Sequence, residues 1–131
     1  MKIINEELLE KERIVKFHAG ISKRILIKSD NLGFGFTKTT IFPEHGKVMQ
    51  HYKHHLEACY CIQGKAILSN EDGMEYFIEP GVTYVLDQND KHWFEALEET
   101  VLLCIWNPPL HGKEIHRKDG SYSLDGSNDN D

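Results

Sequence analysis

His51-Tyr-Lys-His-His-Leu-Glu57-Ala-Cys-Tyr-Cys-Ile-Gln-Gly64 carries metal-ligand residue types through a stretch that reads as a β-strand. From Glu57 onward the side chains alternate. Glu57, Cys59 and Cys61 share one face, and Ala58, Tyr60 and Ile62 share the other. A carboxylate on the same face as two cysteines is costly unless a metal ion or a paired cation compensates it. Further along, Tyr84 follows Pro80-Gly81, and His92 opens a run with Trp93 and Phe94. Acid, phenol and imidazole on separate strands suit a hard or borderline divalent cation.

Short strand-like runs extend from this stretch in both directions. Residues 24–28, 34–42, 57–69, 75–78, 82–86, 92–97 and 100–106 read as strands, separated by turns such as Asn70-Glu-Asp-Gly73 and Gln88-Asn-Asp-Lys91. Residues 5–13 read as one short helix or turn, with Leu8 and Leu9 as a small apolar face. Many short strands at regular spacing argue an all-β sandwich or barrel. The 131 residues make one domain, expected over 1–120, followed by a disordered polar tail over 121–131.

A net charge of −6 without a basic stripe argues against nucleic acid or an anionic membrane as the main partner. The charged N-terminus is unlike a signal peptide, and no apolar run approaches the length of a membrane span. Three cysteines form no disulfide framework, which fits a reducing cytoplasm. Cys59 and Cys61, with no second Cys-x-x-Cys, are expected as small core residues and not as a structural zinc site.

Gly46-x4-His51, Glu57-x6-Gly64, Pro80-Gly81 and His92 are similar to the two loose motifs of the cupin superfamily. More specific stretches are His51-Tyr-Lys-x-His-Leu-Glu-Ala-x-Tyr-Cys-Ile-x-Gly64, Pro-Gly-x-x-Tyr84-x-Leu-Asp87, Asp90-x-His92 and Asn107-Pro-Pro-Leu-x-Gly-x-Glu114-x-His116, joined by Gly35-Phe-x-x-Thr39-Thr-Ile. Across residues 1–122 these resemble the ectoine synthase family. The resemblance implies a small single-domain cupin jelly-roll β-barrel. It also implies a carbon–oxygen hydro-lyase that closes Nγ-acetyl-2,4-diaminobutyrate into a cyclic amidine with loss of water, using Fe2+, and usually working as a homodimer.

Carried onto this chain, the resemblance makes Glu57, Tyr84 and His92 the metal ligands. Tyr52, Glu114 and His116 become the candidates for proton transfer, and Arg24 the partner of the substrate carboxylate. Thr39, Tyr52, Cys104 and Trp106 line the pocket. Taken singly, Tyr84 reads as a barrel-wall aromatic, His92 as an exposed strand-edge histidine and Arg24 as a surface charge. His51 is the runner-up ligand; His45, His54, His55 and His111 read as surface or supporting residues.

Two departures stand out. The family's Trp-x-Ser-x-Arg is here Ala19-Gly-Ile-Ser-Lys-Arg24, read as lacking the tryptophan and as one residue shorter, which directs attention to Ile21. The family's Phe-Asn-Pro-Pro is here Trp106-Asn-Pro-Pro, whose larger ring would refill the lost volume. The alternatives are a cupin acting on another small amide or amino acid, and a cupin that only binds a small solute.

Overall fold

The computed structural model describes residues 1–127. Ten strands form two antiparallel sheets. They are β1 (Ile14–Phe17), β2 (Gly20–Leu26), β3 (Gly35–Ile41), β4 (Lys47–His51), β5 (Leu56–Gln63), β6 (Ala66–Asn70), β7 (Glu75–Ile78), β8 (Thr83–Leu86), β9 (Lys91–Ala96) and β10 (Thr100–Asn107). The first sheet runs β1-β2-β3-β10-β5-β8 and the second β4-β9-β6-β7. The expected jelly-roll barrel is present.

Side-chain alternation determines which residues enter the barrel. Glu57, Cys59 and Cys61 are buried on β5 while Leu56, Tyr60 and Ile62 are exposed. His92, Phe94 and Ala96 turn inward from β9, and Leu102, Cys104 and Trp106 from β10. One end of the interior is apolar, built from Ala66, Leu68, Ile78, Leu86 and Phe94. The other end is lined by polar and aromatic groups and carries the candidate site.

The run 57–69 is two strands, because the chain changes sheets between β5 and β6. Gly64 makes that change at φ 97°, where a Cβ would meet Glu99 O at 2.4 Å, so a side chain would be both strained and obstructed. The N-terminal segment forms two 3-10 turns, Glu6–Leu8 and Lys11–Arg13. Leu8 stays exposed, and Glu6 instead bonds Lys23 at 3.3 Å and Lys38 at 2.8 Å. Strands β1 and β4 lie where no strand was read. The expected tail begins with three buried residues, Ser121, Tyr122 and Ser123. They pack over the polar end of the barrel, where the Tyr122 ring stacks 4.5 Å from His116 and 5.4 Å from Trp106. Residues 128–131 of that tail lie outside the described residues.

Candidate metal centre

β5 lies between β10 and β8, and the two registers bring the site together. Cys59 stands opposite Cys104 on one side and Tyr84 on the other, and Glu57 stands opposite Trp106 and Leu86. Partners in register point to the same face. The donor atoms of Glu57, Cys59 and Cys104 therefore all lie within 4.8 Å of one another. Both thiols hydrogen-bond the Glu57 carboxylate, and the Tyr84 hydroxyl meets Cys59. Burial pushes the Glu57 carboxyl up to about 7, with the two thiols opposing the shift. Among the described residues no lysine or arginine forms an ion pair with it. Burial likewise holds the Tyr84 phenol well above its ordinary range.

His92 approaches from the second sheet. Its Nδ1 is 2.9 Å from the Asp90 carbonyl, which can only accept, so Nδ1 carries the proton and Nε2 presents a lone pair. Burial lowers its pKa and keeps the ring neutral. Nε2 faces Gln50 Oε1 at 3.0 Å, acceptor against acceptor. A turn of the Gln50 amide relieves that contact, and so would a cation arriving between them. His92 does not belong to the group formed by Glu57 and the thiols. A buried unpaired carboxylate, a phenol and an imidazole with a bare nitrogen fit a divalent metal ion.

Glu57, Tyr84 and Cys104 line a cavity of about 20 Å³, walled also by Ser22, Thr39, Tyr52, Trp106, His116 and Tyr122, among others; Cys59 and His92 are not part of its lining. Tyr52 Oη and His116 Nε2 are 2.7 Å apart. Burial raises the Tyr52 phenol far above its usual range and drives the His116 imidazole well below. The buried His116 Nδ1 has no hydrogen-bond partner. Trp106 Nε1 donates to Thr37 Oγ1 at 3.1 Å, which fixes the indole plane. Arg24 is wholly buried. Its Nε donates to Ser22 Oγ at 2.9 Å and its Nη2 to the Glu114 carbonyl at 2.8 Å. Nη1 stands 3.8 Å from the Glu114 carboxylate and makes no hydrogen bond.

A family model described as ectoine synthase matches residues 1–126. The chain belongs to the ectoine synthase family. It is 44% identical over 112 residues to the L-ectoine synthase of Bordetella petrii, which covers 84% of each chain. It is 46% identical over 104 residues to that of Marinomonas sp., covering 79% of this chain and 80% of the relative. The crystal structure of ectoine synthase from P. lautus superposes with a TM-score of 0.80 at 33% identity, covering 86% of this chain and 81% of that one.

Within this ectoine synthase family member, Glu57 and Tyr84 both line the cavity, with Cys59 against the Tyr84 hydroxyl, whereas His92 is not among the lining residues and is held by Gln50. Tyr52 and His116 meet each other, whereas Glu114 is not among the lining residues. Its carboxylate accepts from the His111 and Gly112 amides at 2.7 Å each. Thr39, Tyr52, Cys104 and Trp106 all line the cavity. His45 and His54 are exposed and His51 is half-buried. His55 is buried against Trp106 and Tyr122, with its pKa lowered to about 4 by desolvation.

Ile21 faces away from the cavity, because Gly20, Ser22 and Arg24 are the inward residues of β2. The tryptophan position of the family pattern is therefore Gly20, and the stretch is not one residue shorter, since Gly20, Ser22 and Arg24 keep the pattern's spacing on one face. A Cβ there would meet Thr40 O at 1.8 Å, so the β2–β3 backbone leaves no room for a side chain. The aromatic wall on this side is Phe17, from the unread strand β1, with its ring 5.4 Å from His116. Sequence reasoning also missed Gln50 and Tyr122. Gln50 had a faint signal in its alternation with Val48; Tyr122 had none, lying in a polar segment.

Proposed function

We propose that this chain is an ectoine synthase that closes Nγ-acetyl-2,4-diaminobutyrate into the cyclic amidine ectoine with loss of water. Its metal is Fe2+, with Glu57, Tyr84 and His92 as ligands. The observation that carries the reading is the buried Glu57 carboxylate, unpaired with any described cation, lining with the Tyr84 phenol a small cavity in a family member.

The reaction moves two protons from the substrate ammonium to the acetyl oxygen, which departs as water and leaves an amidinium; no proton is gained or lost overall. The Tyr52–His116 pair suits that shuttle. The neutral imidazole can take a proton from the amine, and the protonated phenol can give one to the oxygen. Arg24 is not itself among the lining residues but bonds Ser22, which is; its Nη1, without a hydrogen-bond acceptor and 3.8 Å from the Glu114 carboxylate, becomes the donor for the substrate carboxylate once the roof draws back. Trp106, Phe17 and Tyr122 hold the amine against its own amide, a proximity task in a narrow, aromatic-walled site. When bound, the divalent ion supplies Lewis-acid polarisation of the amide carbonyl. About 20 Å³ is room for little more than one water, so the segment carrying His116 and Tyr122 draws back to admit substrate.

The chain works in the cytoplasm, consistent with three free cysteines. It pairs as a homodimer through the apolar outer face of the first sheet, where Leu56, Tyr60, Ile62, Val85 and Ile105 are exposed. The blocked corner at Gly20 favours one second reading, a related small amide as substrate. The test is mass spectrometry of Nγ-acetyl-2,4-diaminobutyrate incubated anaerobically with iron-loaded protein. Loss of one water with wild type and with His54→Ala, but not with Glu57→Ala, is the expected result. No conversion with iron bound would reject the substrate. Full iron content and turnover in Glu57→Ala would reject the ligand set.

A further inference from the structure

Cys59 has no task in the cyclisation, yet it completes a donor cluster. A carboxylate oxygen and two sulfurs, all buried, lie within 4.8 Å of one another. Zinc–thiolate bonds of about 2.3 Å put tetrahedral donors roughly 3.8 Å apart, so small side-chain rotations would close these three around an ion. Cys59 and Cys104 are directly opposed across β5 and β10, which fixes their backbones for that approach. The Tyr84 hydroxyl, already against Cys59, supplies a fourth donor. Two sulfurs and two oxygens form a softer set than the carboxylate, phenol and imidazole read as the iron site.

We propose that the centre has a second, thiolate mode, in which Glu57, Cys59, Cys104 and Tyr84 hold a thiophilic divalent cation of the zinc class. Binding expels the two thiol protons as sulfur–metal bonds form. The inference rests on the iron reading in one respect. Glu57 is shared, so an ion in the thiolate mode excludes Fe2+ from the site. Zinc is then a competitor that the cluster selects by softness, and His92 stays with Gln50.

The test titrates the iron-free full chain with Co2+ under anaerobic conditions. The expected result is a near-ultraviolet sulfur-to-cobalt charge-transfer band with visible bands of tetrahedral intensity. Cys59→Val and Cys104→Ser each remove most of the charge-transfer band, and competition with Zn2+ displaces cobalt. Zinc affinity falls roughly a hundredfold for each lost thiolate. Cys61→Ser, whose sulfur instead meets the Gln63 carbonyl at 3.3 Å, leaves the band intact. His92→Ala abolishes Fe2+ binding and keeps the cobalt band, and Cys59→Val keeps Fe2+ binding. Cobalt bound by wild type without a sulfur band overturns the proposal, as does a band that survives in the Cys59→Val/Cys104→Ser double variant. A protein that shows the band but converts no substrate refutes the cyclase reading alone; one that turns over without the band refutes the thiolate mode alone.

Discussion

Glu57→Gln in the metal-free protein gives a sharp test of the electrostatics at the centre. Burial raises the Glu57 carboxyl from 4.5 to about 7. A carboxyl whose folded pKa lies above its unfolded value costs no stability below the unfolded pKa. The cost grows as pH climbs from about 4.5 to about 7, and it persists above. The shift corresponds to about 3 kcal/mol once both states are ionised. Glutamine keeps the shape and an acceptor oxygen for the two thiols but has no charge to desolvate. Urea unfolding of iron-free wild type and variant at pH 5 and pH 8 isolates this group, because the other titrations are common to both proteins. We expect the variant to gain about 2–3 kcal/mol on wild type between the two pH values. A divalent ion should then restore wild type alone, by binding the folded state. A difference between the two proteins that is equal at both pH values would refute the claim that Glu57 sits desolvated and uncompensated.

Tyr52→Phe removes the hydroxyl that meets His116; kcat should fall about a hundredfold or more with iron content unchanged, and a loss under tenfold would remove Tyr52 from the proton path. Arg24→Lys keeps the charge but loses the guanidinium fork, so KM should rise more than kcat falls, as read from steady-state kinetics on the intact substrate. Trp106→Phe should cost about 1 kcal/mol in thermal unfolding, from the lost bond to Thr37, and should weaken substrate affinity. An unchanged KM in Trp106→Phe would show that the indole does not fill the space left by the absent tryptophan.

Inward and outward faces were legible where alternation is local. Glu57, Cys59 and Cys61 on β5, and His92, Phe94 and Ala96 on β9, face as their period of two demands. Features that depend on pairing between distant strands were not. The meeting of Cys59 with Cys104 is set by the β5–β10 register, which no spacing along the chain encodes. The sheet change at Gly64 left 57–69 looking like one strand, because its reason is the approach of Glu99 and Thr100 from elsewhere in the chain. At the missing tryptophan, attention one residue off, at Ile21, pointed to the outer face, since adjacent strand residues face opposite ways. Tyr122 was invisible because composition alone ranks its surroundings as polar tail.

Arg24 has a consequence for affinity. Its Nη2 is engaged by the Glu114 carbonyl and, at 3.4 Å, by the Tyr122 hydroxyl, both in the segment that roofs the cavity. Roof and ligand thus draw on one guanidinium, and the observed dissociation constant is the intrinsic one divided by the fraction of molecules with the roof detached. A substitution in the roof that keeps the ring in the cavity wall but removes its hydroxyl, Tyr122→Phe, would then tighten substrate binding while it loosens the fold, because the same hydrogen bond counts with opposite sign in the two equilibria.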